Sequence, residues 1–302
     1  SLSATNMFID SFIGYLRVER HYSAHTVRSY ERDLLAFKDY VARLDESLSF
    51  WEADTDVVRS WVASMMDAGA KPSTVCRKLS SLRSFFAYVC ADCGVQENPV
   101  AGLRGPKCRK VLPSFVKEES MNALIDDISF GNGYAACRDK MILQLFYETG
   151  VRLSELVGLD ISSVDMQACT VKVLGKRNRE RIIPFAAGLK AALERYLHER
   201  DAFAKKPCNA LFLSAKGERV TQSCVYRMVR SRLVGVTTVK KKSPHVLRHS
   251  FATAMLNNNA EIGAVKELLG HRRLATTEIY THLGFEDLKN FYEMAHPRAG
   301  KQ

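Results

Sequence analysis

No stretch of the chain is apolar for long enough to cross a bilayer as a helix, which takes about 18 residues or more. A basic start followed by an apolar core is also missing, so nothing reads as a secretion signal. Both absences predict a soluble cytoplasmic protein with no membrane partner. Paired cysteine motifs are scarce as well. Eight cysteines are scattered at 76, 90, 93, 108, 137, 169, 208 and 224, and only Cys90 and Cys93 form a CxxC. No second pair and no His pair completes a zinc set. Residues 85–90 (FFAYVC) read as an apolar helix end, so buried, reduced thiols of a cytosolic protein are the expectation. Internal repeats and low-complexity segments are absent too.

Acidic residues are in short supply: 33 Asp and Glu against 44 Lys and Arg leave a net charge of +11. The deficit is uneven. Residues 1–112 hold 15 basic against 13 acidic residues, and residues 113–302 hold 29 against 20. Such an excess suits a polyanionic partner, although a basic solvated surface would give the same count.

Apolar spacing supplies the next layer. Residues 4–19 repeat apolar positions at helical intervals, and residues 23–26 (SAHT) look like a helix start. Val27, Tyr30, Leu34, Phe37 and Val41 then mark one face of a long amphipathic helix. A third helix is predicted from Asp54 to Gly69, with Val57, Val58, Trp61 and Met65 inward. Pro72 opens a fourth, carrying Val75, Leu79, Leu82, Phe86 and Val89. Four such helices make a compact bundle. The fourth also bears Arg77, Lys78 and Arg83 among Ser80, Ser81 and Ser84. Small polar residues beside cations allow close approach to phosphates, though an ordinary wet face looks the same.

Residues 98–113 (NPVAGLRGPKCRKVLP) have no apolar period and read as an extended linker. Their Arg104, Lys107, Arg109 and Lys110 would suit a strap along a duplex. Beyond them, helices are predicted near 117–128, 135–150, 186–203 and 221–233, with Gly150 as a helix stop. Residues 169–185 are the one clear β signal, a hairpin with Lys176 and Arg177 near its tip. Lys240, Lys241 and Lys242 precede a helix start at Ser243-Pro244, a run that suggests phosphate proximity but is also common on solvated surfaces.

His245 and Arg248 stand three apart on that helix and so share a face. Arg248 offers a planar fork for two phosphate oxygens, and His245 can exchange a proton near neutral pH. Gly270 ends a helix with His271 just past it, and Tyr280 follows a turn into the next helix. Each feature alone is weak: a tyrosine at helical spacing is by default core with a hydrogen-bonded hydroxyl.

Together, residues 149–156 (TGVRLSEL), Gly175-Lys176, residues 245–249 (HVLRH), residues 268–271 (LLGH) and residues 276–282 (TTEIYTH) resemble the tyrosine site-specific recombinases of the phage-integrase superfamily. Arg152, Lys176, His245, Arg248, His271 and Tyr280 fill all six active-site positions of that family in order. The resemblance covers essentially the whole chain. Within the superfamily the chain is most similar to the Xer group of bacterial chromosomes, by its length, its Asn98-Pro99 and its final residues 292–299 (YEMAHPRA).

That resemblance implies a mainly α protein. A four-helix, SAM-like core-binding domain would occupy 1–98 and a basic linker 99–113. A mostly helical catalytic domain with a small antiparallel β-sheet would occupy 114–302, the two parts forming a C-shaped clamp on DNA. It implies Tyr280 as the nucleophile making a 3′-phosphotyrosyl link, Arg152 and Arg248 as clamps on the non-bridging oxygens, and His271 as a further donor. Lys176 would be the general acid at the 5′-oxygen, and His245 would assist proton transfer. Neither metal nor ATP nor another cofactor is implied. The implied partners are double-stranded DNA, a homo- or hetero-tetramer whose C-terminal tail packs in trans, and a DNA translocase, at the nucleoid. The implied task is resolution of chromosome dimers at a dif-like site. Alternatives are a mobile-element integrase or invertase, a type IB topoisomerase, and a non-catalytic DNA-binding protein of the same fold.

Overall fold

A computed structural model describes residues 2–92, 97–108, 114–127, 130–175, 180–239, 242–270 and 285–299. The chain divides into two units, Ser1–Val111 and Leu112–Gln302, each with its own hydrophobic core.

The first unit holds α1 (Leu2–Val18), α2 (Ala24–Leu44), α3 (Thr55–Asp67) and α4 (Pro72–Asp92). Their starts follow the local chemistry. The Ser23 hydroxyl accepts from the Thr26 amide at 3.3 Å, and the Asp54 carboxylate from the Val57 amide at 2.8 Å, so each satisfies a donor the helix leaves open. The predicted face of α2 is buried at Val27, Leu34, Phe37 and Val41, and that of α4 at Val75, Leu79, Leu82, Phe86 and Val89. Aromatic rings knit them: Phe37 lies 4.9 Å from Trp61, and Phe50 stacks on Phe85 at 5.2 Å.

The expected linker is not an extended strap in its first half. Val100 is fully buried in the core of the first unit, and Leu103 packs against that core. Thr55 Oγ1 donates to Pro99 O at 3.1 Å, and Arg83 to Leu103 O at 3.0 Å. Two apolar residues three apart are enough to fold this short segment down, a pattern too brief to register as periodic.

In the second unit α5 (Glu118–Asn122) runs into a π turn over Ala123–Asp127, followed by α6 (Tyr134–Thr149) and α7 (Leu153–Gly158). Strands β1 (Val164–Asp165), β2 (Thr170–Leu174) and β3 (Glu180–Pro184) form an antiparallel sheet in that order. Helices α8 (Ala187–Phe203), α9 (Gln222–Arg232), α10 (Pro244–Asn257), α11 (Ile262–Leu269) and α12 (Phe285–Ala295) complete it. The two-residue β1 carries no sequence signal of its own. Helix α6 is buried on nearly every side, as a helix at the centre of a core must be. It ends at Gly150, whose φ of +60° is left-handed; a Cβ there would lie 2.6 Å from Phe251 Cδ1 and 2.9 Å from Leu269 Cδ2, so only glycine fits.

The C-terminal tail packs within the second unit of its own chain. Leu288, Tyr292, Ala295 and His296 are buried. The His296 ring stacks on Tyr292 and its Nε2 lies 3.3 Å from Tyr147 O. Arg298 binds Glu148 at 3.0 Å and Asp126 at 2.9 Å. Apolar spacing predicts that such a helix packs, but not against which copy. Among the described residues no helix is long and apolar enough to cross a membrane.

Candidate active site

Three arginines from distant parts of the second unit meet around one buried carboxylate. Arg152 stands at the N-cap of α7. Its backbone N–H donates to Glu155 Oε2 and its Nη1 to Glu155 Oε1, both at 2.7 Å, while its Nη2 reaches Gly270 O at 3.0 Å. Arg181, on β3, donates through Nη1 and Nη2 to the two Glu155 oxygens at 2.7 and 2.8 Å, and through Nε to Leu268 O at 3.0 Å. Arg248, on α10, donates to Gly150 O and Leu269 O. Helix C-termini carry negative partial charge, so the ends of α6 and α11 are natural seats for these cations.

The electrostatics show an excess of positive charge. Burial pushes the Glu155 carboxyl up, but the hydrogen bonds and charges of Arg181 and Arg152 outweigh it and hold the group down at about 2. Arg248 is lowered to about 9 by burial first, then by Arg152 and Arg181. Two guanidiniums bind the one carboxylate while Arg248 rests on backbone carbonyls beside them, so positive charge is in excess, which is the condition for binding an anion. Arg152 keeps 28% of its side chain exposed and Arg248 is almost fully buried, so Arg152 is the more open of the two.

Arg152 and Arg248 are therefore brought together as the sequence predicts. His245 stands at an exposed position one turn before Arg248. Lys176, His271 and Tyr280 lie outside the described residues. Gly270, the residue before His271, does end α11 with a φ of +63°.

Sequence reasoning missed Arg181, although a signal existed. Arg181 pairs with Val173 and Ile183 with Val171, so strand alternation puts Arg181 on the core-facing side. A cation there needs a buried partner. Glu155 appeared in the TGVRLSEL motif without a role.

The expected phosphate contacts divide differently. Arg77 is not a spare cation: its guanidinium clasps the buried Asp33, which also accepts from Ser81 at 2.8 Å. Lys78 sits over the Trp61 ring at 5.4 Å, and Arg83 is engaged with Leu103 O. Arg104 and Lys107 are exposed. Lys242 donates to Val239 O at 3.0 Å. Arg109, Lys110, Arg177, Lys240 and Lys241 lie outside the described residues.

Comparison with known proteins bears on the same residues. The profile of the Phage integrase family matches residues 114–287, and that of the Phage integrase, N-terminal SAM-like domain, residues 9–92. Tyrosine recombinase XerC of Staphylococcus carnosus (strain TM300) is 37% identical over 300 residues, covering 98% of this chain and 99% of that protein. Tyrosine recombinase XerC of Escherichia coli O139:H28 (strain E24377A / ETEC) is 38% identical over 293 residues, 96% of each. Among solved structures, the XerH site-specific recombinase in its post-cleavage complex with palindromic difH substrate is 25% identical, with a TM-score of 0.69 over 91% of this chain and 81% of that one. A lambda integrase dimer bound to a COC' core site shares the fold at 17% identity, with a TM-score of 0.68 over 89% of this chain and 95% of that one. With the family profile spanning most of the second unit and relatives more than a third identical along nearly the whole length, the chain belongs to the phage integrase family.

Proposed function

We propose that the protein is a site-specific tyrosine recombinase that cuts and rejoins DNA through a 3′-phosphotyrosyl intermediate. The observation that carries this reading is the cluster of Arg152, Arg181 and Arg248 around Glu155 at the ends of α6 and α11. Fixed donors of this kind stabilise charge that builds on the non-bridging oxygens of a pentavalent phosphorus. In the step itself the Tyr280 oxygen bonds to phosphorus, the P–O5′ bond breaks, and Lys176 supplies the proton that leaves with the 5′-hydroxyl. His245 takes the proton that the Tyr280 hydroxyl loses, and His271 donates a further hydrogen bond to a non-bridging oxygen. The covalent link stores the bond energy, so rejoining is the same step reversed with a new 5′-hydroxyl, and strands exchange through a Holliday junction.

The biological role we propose is resolution of chromosome dimers at a dif-like site in the cytoplasm. It rests on the identity to proteins named XerC and on the likeness to XerH on difH DNA. The working assembly is a tetramer on two duplexes, alone or with a paralogous recombinase, and a DNA translocase is the expected activator. Arg104 and Lys107, exposed in the first unit, are the described candidates for duplex contact.

A nicked suicide duplex carrying the target site tests the chemistry. The protein should form a covalent adduct, and Tyr280→Phe should abolish it while leaving duplex affinity within about twofold, since only a hydroxyl is lost. An adduct that survives this change would remove Tyr280 as the nucleophile.

A further inference from the structure

Two thiols in the first unit take no part in this chemistry, and they touch. Cys76 lies in the second turn of α4, and Cys108 lies beyond that helix, two residues after Pro106. Their Sγ atoms are 3.6 Å apart, although 32 positions separate them in sequence. Both thiols face one acceptor, Pro106 O, at 3.4 and 3.7 Å. The chain crosses Cys76 so closely at Gly105 that a Cβ there would lie 2.7 Å from the Cys76 Sγ. Cys108 is exposed, Cys76 is half-buried, and both are free thiols.

A separation of 3.6 Å is the contact distance of unbonded sulfurs, and a disulfide closes at about 2.0 Å. The remaining shift is small for an exposed side chain. Access orders the pair. The exposed Cys108 meets a solution oxidant first. Burial, and then the neighbouring Cys108 sulfur, push the Cys76 thiol up, which suits Cys76 to resolving a bond already formed on Cys108 rather than to opening the reaction.

We propose that Cys76 and Cys108 form a dithiol site that small disulfide oxidants such as glutathione disulfide close into an intramolecular disulfide, stapling the segment that leaves the first unit to α4. Cys108 thiolate attacks glutathione disulfide, forming a Cys108–glutathione bond and releasing one glutathione thiolate. Cys76 loses its proton to solvent and attacks Cys108 Sγ, forming the Cys76–Cys108 bond and expelling the second thiolate. Two protein thiols are oxidised, one glutathione disulfide is reduced to two glutathiones, and no other oxidant enters. Arg104 and Lys107 ride on the stapled segment, so closure fixes the two exposed cations of the first unit singled out above.

The test uses the intact protein in glutathione buffers of increasing disulfide content, trapped with an alkylating agent and digested without reduction. The linked Cys76–Cys108 peptide should appear at the lowest oxidant levels, each chain losing two hydrogen atoms, and dithiothreitol should reverse it. Tryptic cleavage after Arg104 and Lys107 should slow several-fold in the oxidised protein and recover on reduction. Cys76→Ser should instead trap glutathione on Cys108, and Cys108→Ser should leave position 76 unlinked. Glutathione accumulating on Cys108 of the unaltered protein while Cys76 stays open to alkylation would overturn the proposal.

Discussion

At Glu155 a single buried carboxylate answers two guanidiniums, and its loss would leave them facing each other beside Arg248. Removing one partner of a buried ion pair costs about 3 kcal/mol or more, because the other charge is left without compensation. We expect Arg181→Ala to destabilise the protein in urea unfolding by less than that, because Arg152 still pairs with Glu155, and to slow adduct formation. Glu155→Gln leaves both guanidiniums without their carboxylate and should cost the full amount, while the double variant should lose less than the sum of the two; strictly additive losses would show that the residues do not act as a unit. The acid limb follows from the same group. Its folded value of about 2 lies below the ordinary 4.5, so its contribution is fully present above about pH 4.5 and is lost as the pH falls toward 2. Arg152 and Arg248 were legible as cations in motifs. Arg181 was hidden because a lone basic residue in a strand gives no sign of its partner 26 positions away.

The residues after helix α12 bring His296 against α6, whose own Glu148 is a second buried group of opposite pH behaviour. Glu148 Oε1 accepts from Gln144 at 2.9 Å and from Arg298 at 3.0 Å, while its Oε2 is buried without a partner among the described residues. Burial raises this carboxyl to about 7, against the pull of Gln144 and Arg298. Burial lowers His296 to about 4. His296 therefore contributes stability that is present above about pH 6.5 and lost as the pH falls toward 4. Glu148 has the reverse sign: its contribution is present below about 4.5 and lost as the pH rises toward 7. The two slopes oppose each other between about pH 4.5 and 6.5. Glu148→Gln removes one of them, so we expect this variant to gain on the parent as the pH rises, by about 3 kcal/mol across the window. Urea midpoints of both proteins from about pH 5 to 7 check it, and a constant difference would mean that Glu148 is already ionised beside Arg298 at the acid end. Sequence spacing gave the helix and its apolar side. It gave no hint that Tyr147 and Phe251 would receive His296, because those three lie far apart in the chain.

For the whole molecule the relevant contrast is between a tail seated in cis and an assembly in which it would serve a neighbour. Tyr292 and His296 fill a seat on α6 and α10 of their own unit, so leaving it uncovers apolar surface that a second copy could cover. Deleting residues 286–302 should weaken tetramer assembly on paired duplexes by roughly tenfold, about 1.4 kcal/mol. First-protomer binding to a single duplex should change less, as read by sedimentation of the two complexes. Equal losses in both would count against the tail as an assembly element. The charge contrast between the parts, 15 basic against 13 acidic residues up to position 112 and 29 against 20 beyond, belongs to this scale too. It places most of the attraction for a polyanion in the second unit, where the arginines converge.

The order of motifs from Thr149 to His282 determined the family, because chemistry at phosphate needs particular side chains and their types can be read directly. Helical periodicity determined the four helices of the first unit, because local spacing alone decides which face is apolar, and an apolar run ending at Gly150 determined the central α6. Partnership was decided only by the tertiary structure. Arg77 turned inward to Asp33, Val100 folded the linker onto the first core, Arg181 joined Glu155, and the tail closed on its own unit. Each depends on which distant residue stands opposite, and the period of a helix or strand fixes a direction without fixing what is met there.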